Sequence, residues 1–322
     1  MTFSNPVWPT YLADPFCFRH DGWYYAVGTG KAECHAPGFS GPVVPMVKSR
    51  DLHTWEPVGR VLEQTGLPFT CYWAPEIAVH DGRFYMYYHP CLPGQGYGIR
   101  VAVAERPEGP YRDTGTPLTD LAKNSFAIDS HPFRDDDGQW WLFYATDFHD
   151  TDARTFRGTA LVVDRLIDMT RLAGNPTAVM RAHWPWQRYE AQQKSHGVVA
   201  DWYTLEGPTV RKRGGRYYCF YSGGNYQNES YGVDWLEADC VTGPWREVGR
   251  ERGPQLMRTV PSRVIGPGHH SIVSDDAGTD YAVYHAWNEA RTDRLMCVDR
   301  LDWTNGVPSI DRFAATIARK PA

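Results

Sequence analysis

The stretch DGWYYAVGTG, residues 21–30, returns as DGRFYMYYHP (81–90), DGQWWLFYAT (137–146), GGRYYCFYSG (214–223) and, more loosely, AGTDYAVYHA (277–286). Asp-Gly or Gly-Gly ahead of alternating aromatic residues reads as a tight hairpin turn entering a β-strand, because such turns need backbone at positive φ and strands bury alternate side chains. The turn glycines, Gly22, Gly82, Gly138, Gly215 and Gly278, stand 60, 56, 77 and 63 residues apart. Each interval accommodates one four-stranded blade of roughly 40–50 residues with its loops. Five copies within 322 residues predict an all-β chain, a five-bladed β-propeller forming one closed domain over 1–322 with little free sheet edge.

Outward from these turns a second element recurs: DLHTWEPVG (51–59), EGPYRDTG (108–115) and TGPWREVG (242–249), each a short turn that delivers an aromatic to a blade's outer edge. No long helical period competes, apart from RYEAQQKSHGVVADW (188–202), where a short helix is expected. No Pro/Ser/Gly linker divides the copies, which argues against a string of separate small domains.

Composition narrows the functional classes. Hydrophobic residues at 42% and charged residues at 22% are ordinary for a globular protein, whereas aromatics at 14%, with 13 Trp and 19 Tyr, favour strands and sugar-stacking surfaces. A net charge of −5 without a basic stripe argues against a nucleic-acid partner. No stretch approaches the roughly 20 apolar residues of a membrane span, and MTFSNPVWPT has neither a charged nor an apolar leader region, so a cytoplasmic location is expected. The 7 cysteines (17, 34, 71, 91, 219, 240, 297) are scattered without a CxxC pair, which predicts reduced thiols rather than disulfides or a zinc site.

Shortly before each turn glycine stand LADPF (12–16), WAPEI (73–77), AIDSHPF (127–133), LEGPT (205–209) and GPGHH (266–270). In a propeller the first strand of each blade lines the central channel, so equivalent positions of different blades face one axis. Asp14, Asp129 and Glu206 are therefore expected to converge, as though at one repeat position. Carboxylates around a single pocket suit acid/base glycoside hydrolysis, in which one group is protonated while another is ionised, and like charges help to push their pKa values apart. An acid beside Pro or Gly is also an ordinary turn former; three in register are harder to dismiss that way.

The five segments ADPFCFRHDGWYYAVGT, YWAPEIAVHDGRFYMYY, AIDSHPFRDDDGQWWLFY, EGPTVRKRGGRYYCFYS and GPGHHSIVSDDAGTDYAVYH, in this order, resemble the blade-opening motifs of glycoside hydrolase family 43, over a span from about Tyr11 to Pro308. The resemblance implies an inverting hydrolase with Asp14 as general base, Glu206 as general acid and Asp129 orienting that acid and raising its pKa. It also implies a sugar-subsite Trp73 and a substrate-contacting Arg294. His269 would lie near the axis, where some members hold a calcium ion or a water; no cofactor is needed for the chemistry itself. Plain packing for Trp73, a core role for His269 and a surface ion pair for Arg294 are the alternatives. Glu76 is read as structural.

Without an appended sugar-binding module in the sequence, the expected substrate is a short oligosaccharide cut one terminal sugar at a time, with α-L-arabinofuranosides ahead of β-D-xylosides and galactofuranosides. A non-catalytic sugar-binding propeller, a retaining fructosidase-like enzyme and a phosphorolytic one are the competing readings. The second of these lacks its Arg-Asp-Pro motif here, and the third lacks a recognisable phosphate cluster.

Overall fold

The computed structural model describes residues 3–31, 41–123, 125–195, 197–247 and 253–314. Strands dominate it, arranged in five antiparallel units. The first is Ala13–His20, Trp23–Thr29, Val43–Ser49 and Trp55–Leu62, each strand bonded to the next, and the second is built on Tyr72–His80, Arg83–Leu92, Arg100–Ala104 and Arg112–Pro117. The last is Ile265–Ser274, Asp280–Trp287, Arg294–Thr304 and Val307–Ser309. Between them lies a ten-stranded sheet that resolves into two further units, opened by Ala127–Arg134 and by Val198–Arg213. Those two are joined by one short parallel pairing, Gly158 to Tyr203 and Thr159 to Thr204. The repeat thus corresponds to blades one to five in chain order.

The hairpin turns form where the repeated dipeptides stand. Asp21 and Gly22 have φ of 46° and 73°, Asp81 and Gly82 47° and 72°, and Gly214 and Gly215 57° and 79°, the pairs of positive φ that match the twist of flanking strands. Trp55 opens the outer strand of blade one, and Tyr111 and Trp245 immediately precede the outer strands Arg112–Pro117 and Arg246–Glu247. Packing occurs mainly between blades: Phe18, Val27 and Met46 of blade one meet Ile77, Phe84 and Met86 of blade two, and Leu12, Cys17 and Ala26 meet Val283, Met296 and Val298 of blade five.

The ring closes between the two ends of the chain. Asn5 donates through Nδ2 to the Val298 carbonyl (2.9 Å) and accepts from the Val298 N–H (2.9 Å), while the N–H groups of Val7 and Leu12 bond to the carbonyls of Met296 and Arg294.

Residues 188–202 are not helical. They pair as a hairpin in which Arg188–Ser195 lies antiparallel to the beginning of Val198–Arg213, with Glu190 opposite Trp202 and Lys194 opposite Val199, around Gly197 at φ 78°. Of the apolar residues in this segment Trp202 is buried, but Val198 and Val199 are 46% and 57% exposed. With one buried aromatic rather than a continuous core face, β-branched residues and an extended continuation into the first strand of blade four decide the conformation. Among the described residues no helix is long and apolar enough to cross a membrane, and the six described cysteines are unpaired; Cys34 lies outside the described residues.

Candidate active site

Each blade's first strand carries a bulge where it reaches the channel, with register breaks after Ala13, Trp73, Ile128, Glu206 and Gly268. The residue following each break sits in the left-handed region: Asp14 at φ 52°, Ala74 at 39°, Asp129 at 55°, Gly207 at 54° and His269 at 45°. Bulges of this kind re-aim a side chain and free a backbone N–H from the ladder. The register corrects one sequence expectation. Asp14, Asp129 and His269 are equivalent, whereas Glu206 stands one residue earlier, at the position of Trp73, with Gly207 taking the left-handed turn.

The freed N–H groups show how the ring is knitted together. The Asp14 N–H donates to His285 Nδ1 (3.1 Å), the Ala74 N–H to Thr29 Oγ1 (2.8 Å), the Ser130 N–H to His89 Nε2 (3.0 Å) and the His269 N–H to Ser222 Oγ (2.8 Å). In every case the acceptor belongs to the second strand of the preceding blade. It stands opposite that blade's own bulge: Thr29 faces Ala13, His89 faces Trp73, Ser222 faces Glu206 and His285 faces Gly268. Blade three has Ala145 there, opposite Ile128. At that junction the Gly207 N–H donates instead to Asp129 Oδ2 (3.1 Å), so the absence of a polar side chain at 145 ties Asp129 to the strand that carries Glu206.

Asp14, Asp129, Glu206, Trp73, Arg294 and His269 all line one cavity of about 260 Å³, together with Tyr11 and Tyr226. Arg294 donates from Nη1 to Asp14 Oδ1 (2.9 Å) and from Nη2 to the Tyr11 hydroxyl (2.9 Å), with its guanidinium 4.9 Å from the Tyr226 ring centroid. It therefore pairs with the candidate base rather than with a surface acid. Thr29 Oγ1 donates to Asp14 Oδ2 (2.7 Å). Trp73 stacks on Tyr97 at 4.6 Å and offers the pocket an aromatic wall. Glu76 is paired with His131 Nδ1 (2.7 Å), in keeping with a structural role.

The electrostatics separate the carboxyls. Burial alone would raise Asp14, but the Arg294 guanidinium, then His269 and His285, hold it well below the usual carboxylate range. Burial raises Asp129 well above that range, reinforced by the charges of Glu206 and Asp14. Burial also pushes Glu206 up to about 7, opposed by the Tyr231 hydroxyl, which donates to Oε1 at 2.7 Å. One carboxylate is thus held ionised and two are biased toward the neutral acid, the division that acid/base chemistry requires.

His269 Nδ1 lies 3.4 Å from Asp14 Oδ1 and 3.9 Å from Asp129 Oδ2. Asp129, Glu206 and His269 bring one ligand atom each within 4.8 Å of one another, so they are the groups that could hold a cation. Three donors, one of them nitrogen, fall short of the six to eight oxygens calcium takes, and a calcium ion here would draw the rest from water and serve charge balance.

Sequence reasoning missed Thr29, His89, Ser222, His285 and Tyr231. A signal for the first four exists: Thr29, His89, Ala145, Ser222 and His285 each stand seven residues after a turn glycine.

The model of the family described as "Glycosyl hydrolases family 43" matches residues 3–308. A β-D-galactofuranosidase of Aspergillus niger is 28% identical over 92% of this chain and 81% of its own length. An extracellular exo-α-(1→5)-L-arabinofuranosidase of Streptomyces avermitilis is 26% identical over 89% of this chain and 57% of its own. Among solved structures, a thermostable family-43 glycoside hydrolase superposes with a TM-score of 0.81 at 25% identity, over 96% of both chains.

Proposed function

Because the chain belongs to glycosyl hydrolase family 43, and is on that ground a glycosidase, we propose that it removes single terminal sugars from short oligosaccharides with inversion, α-L-arabinofuranose first among them. Asp14 acts as the base that activates water, Glu206 protonates the leaving oxygen, and Asp129 keeps Glu206 in its acid form. The observation that carries this reading is the split among the three carboxyls: Asp14 beside Arg294 is held ionised, while Glu206 and Asp129 are pushed toward protonation in the same pocket. Arg294 orients the base through Oδ1 and Thr29 through Oδ2, which leaves the carboxylate one fixed direction for a water. Trp73 and Tyr226 supply walls for a sugar ring. A cavity of about 260 Å³ lies below the roughly 300–1,000 Å³ of drug-sized pockets and suits one terminal residue better than an internal stretch of polymer. The likeness to a galactofuranosidase over most of both chains supports β-D-galactofuranose as a second furanose to test.

A panel of nitrophenyl glycosides identifies the sugar, and proton NMR of the first-formed product reads its anomer before mutarotation. Inversion is expected; a retained configuration, or a glycosyl ester trapped on Asp14, would overturn the mechanism. Glu206→Ala is expected to slow unactivated glycosides about 10² to 10⁴-fold and nitrophenyl ones far less, whereas Asp14→Ala slows both alike.

A further inference from the structure

Tyr231, at the end of the loop before the third strand of blade four, is 1% exposed, and its hydroxyl reaches the Glu206 carboxylate. Its ring stacks on His285 at 5.7 Å and an interplanar angle of 6°, and His285 in turn touches Asp14. Space for that ring is made by Gly268. A Cβ there would stand 2.3 Å from Tyr231 Cε1, so the position that carries Glu206 in blade four is stripped of its side chain in blade five and filled by a tyrosine from the neighbouring blade.

We propose that Tyr231 is a positioning residue for the general acid: it grips Glu206 by Oε1 and so leaves the transferable proton on Oε2, the oxygen available to the substrate. The proposal rests on Glu206 being that acid. A neutral carboxyl has one O–H. Oε1, already accepting the tyrosine proton, serves as the carbonyl-type oxygen, and among the described residues Oε2 has no protein partner. In the reaction the Oε2–H bond breaks and its proton bonds to the glycosidic oxygen as the sugar–oxygen bond opens. The electron pair stays on the carboxylate, whose new charge the Tyr231 hydroxyl is already placed to stabilise. Among the described residues no other hydrogen bond reaches the Glu206 carboxyl, so this one selects which oxygen faces the pocket.

Tyr231→Phe keeps the stacked ring and deletes the hydroxyl. On substrates with alkyl or sugar leaving groups, kcat should fall about 10- to 100-fold, the range for a hydrogen bond to a charged group, with KM little changed and nitrophenyl substrates nearly unaffected. In a Glu206→Ala background the same substitution should cost nothing further, since its effect runs through that carboxylate. An equal loss on both leaving-group classes, or an additive loss in the double variant, overturns the proposal. If Glu206→Ala alone leaves unactivated substrates untouched, it is the acid assignment that fails, and the proposal with it. Should Tyr231→Phe not fold, 3,5-difluorotyrosine at 231 adds only two small atoms to the ring and sharpens the donor; kcat on poor leaving groups should then move by at least about twofold while nitrophenyl rates hold, and no change on either class overturns the idea.

Discussion

Asp14 and Glu206 carry the same functional group in surroundings that drive them apart, and the pH profile is where this becomes measurable. As the proposed acid Glu206 must be protonated to act, and burial pushes it up to about 7, so kcat/KM should fall about tenfold per pH unit above that point. As the proposed base Asp14 must be ionised, and the Arg294 guanidinium holds it well below its ordinary range; the rate should stay level as pH falls through 5 and 4. A profile that drops on the acid side in that interval would contradict the pairing. Asp14, Asp129 and Glu206 were legible in the sequence because an acid directly before Pro, Ser or Gly recurs at three of the five blade openings. Their relative depth was not, since a bulge shifts register by one residue and the side chain with it. Tyr231 was unreadable for a different reason: its contact with Glu206 depends on the missing side chain of Gly268, and no local pattern announces a space left in another blade.

At the scale of the elements, the bulged first strands and the acceptors behind them form a unit that repeats around the axis with one exception. Ser222 does not line the pocket, yet it takes the His269 N–H. Ser222→Ala should leave that buried donor unmet and cost about 1–3 kcal/mol in denaturant unfolding, with the midpoint moved and the slope kept. A change below a few tenths would mean the bulge finds another acceptor. The hairpin at 188–202 marks the limit of reading by period. A helix is expected there, but Val198 and Val199 stay exposed while Trp202 is buried, so no continuous helical face results and only tertiary pairing could decide. By contrast, the hairpin turns were readable to the residue, because positive φ at successive positions admits few side chains.

For the molecule as a whole, the spacing of the turn glycines predicts the blade count, whereas the way the ring is sealed leaves no repeat to read. Asn5 bridges to Val298 by two bonds and to Asp299 Oδ2 at 3.1 Å. Asn5→Ala should lower stability by about 1–3 kcal/mol, read as a fall in Tm; an unchanged Tm would mean that the apolar contact between blades five and one closes the ring unaided.

The same seam has a consequence for catalysis under stress. Asp14 belongs to the first blade, yet Arg294, the guanidinium that keeps it charged, and its neighbours His269 and His285 all come from the fifth. If heat parts those two blades while the other three hold, the proposed base loses the Arg294 guanidinium that charges and orients it, so turnover ceases in a molecule that is still mostly folded. Inactivation should therefore run ahead of the calorimetric transition and reverse on cooling, with the enzyme reporting the integrity of one joint rather than of its core.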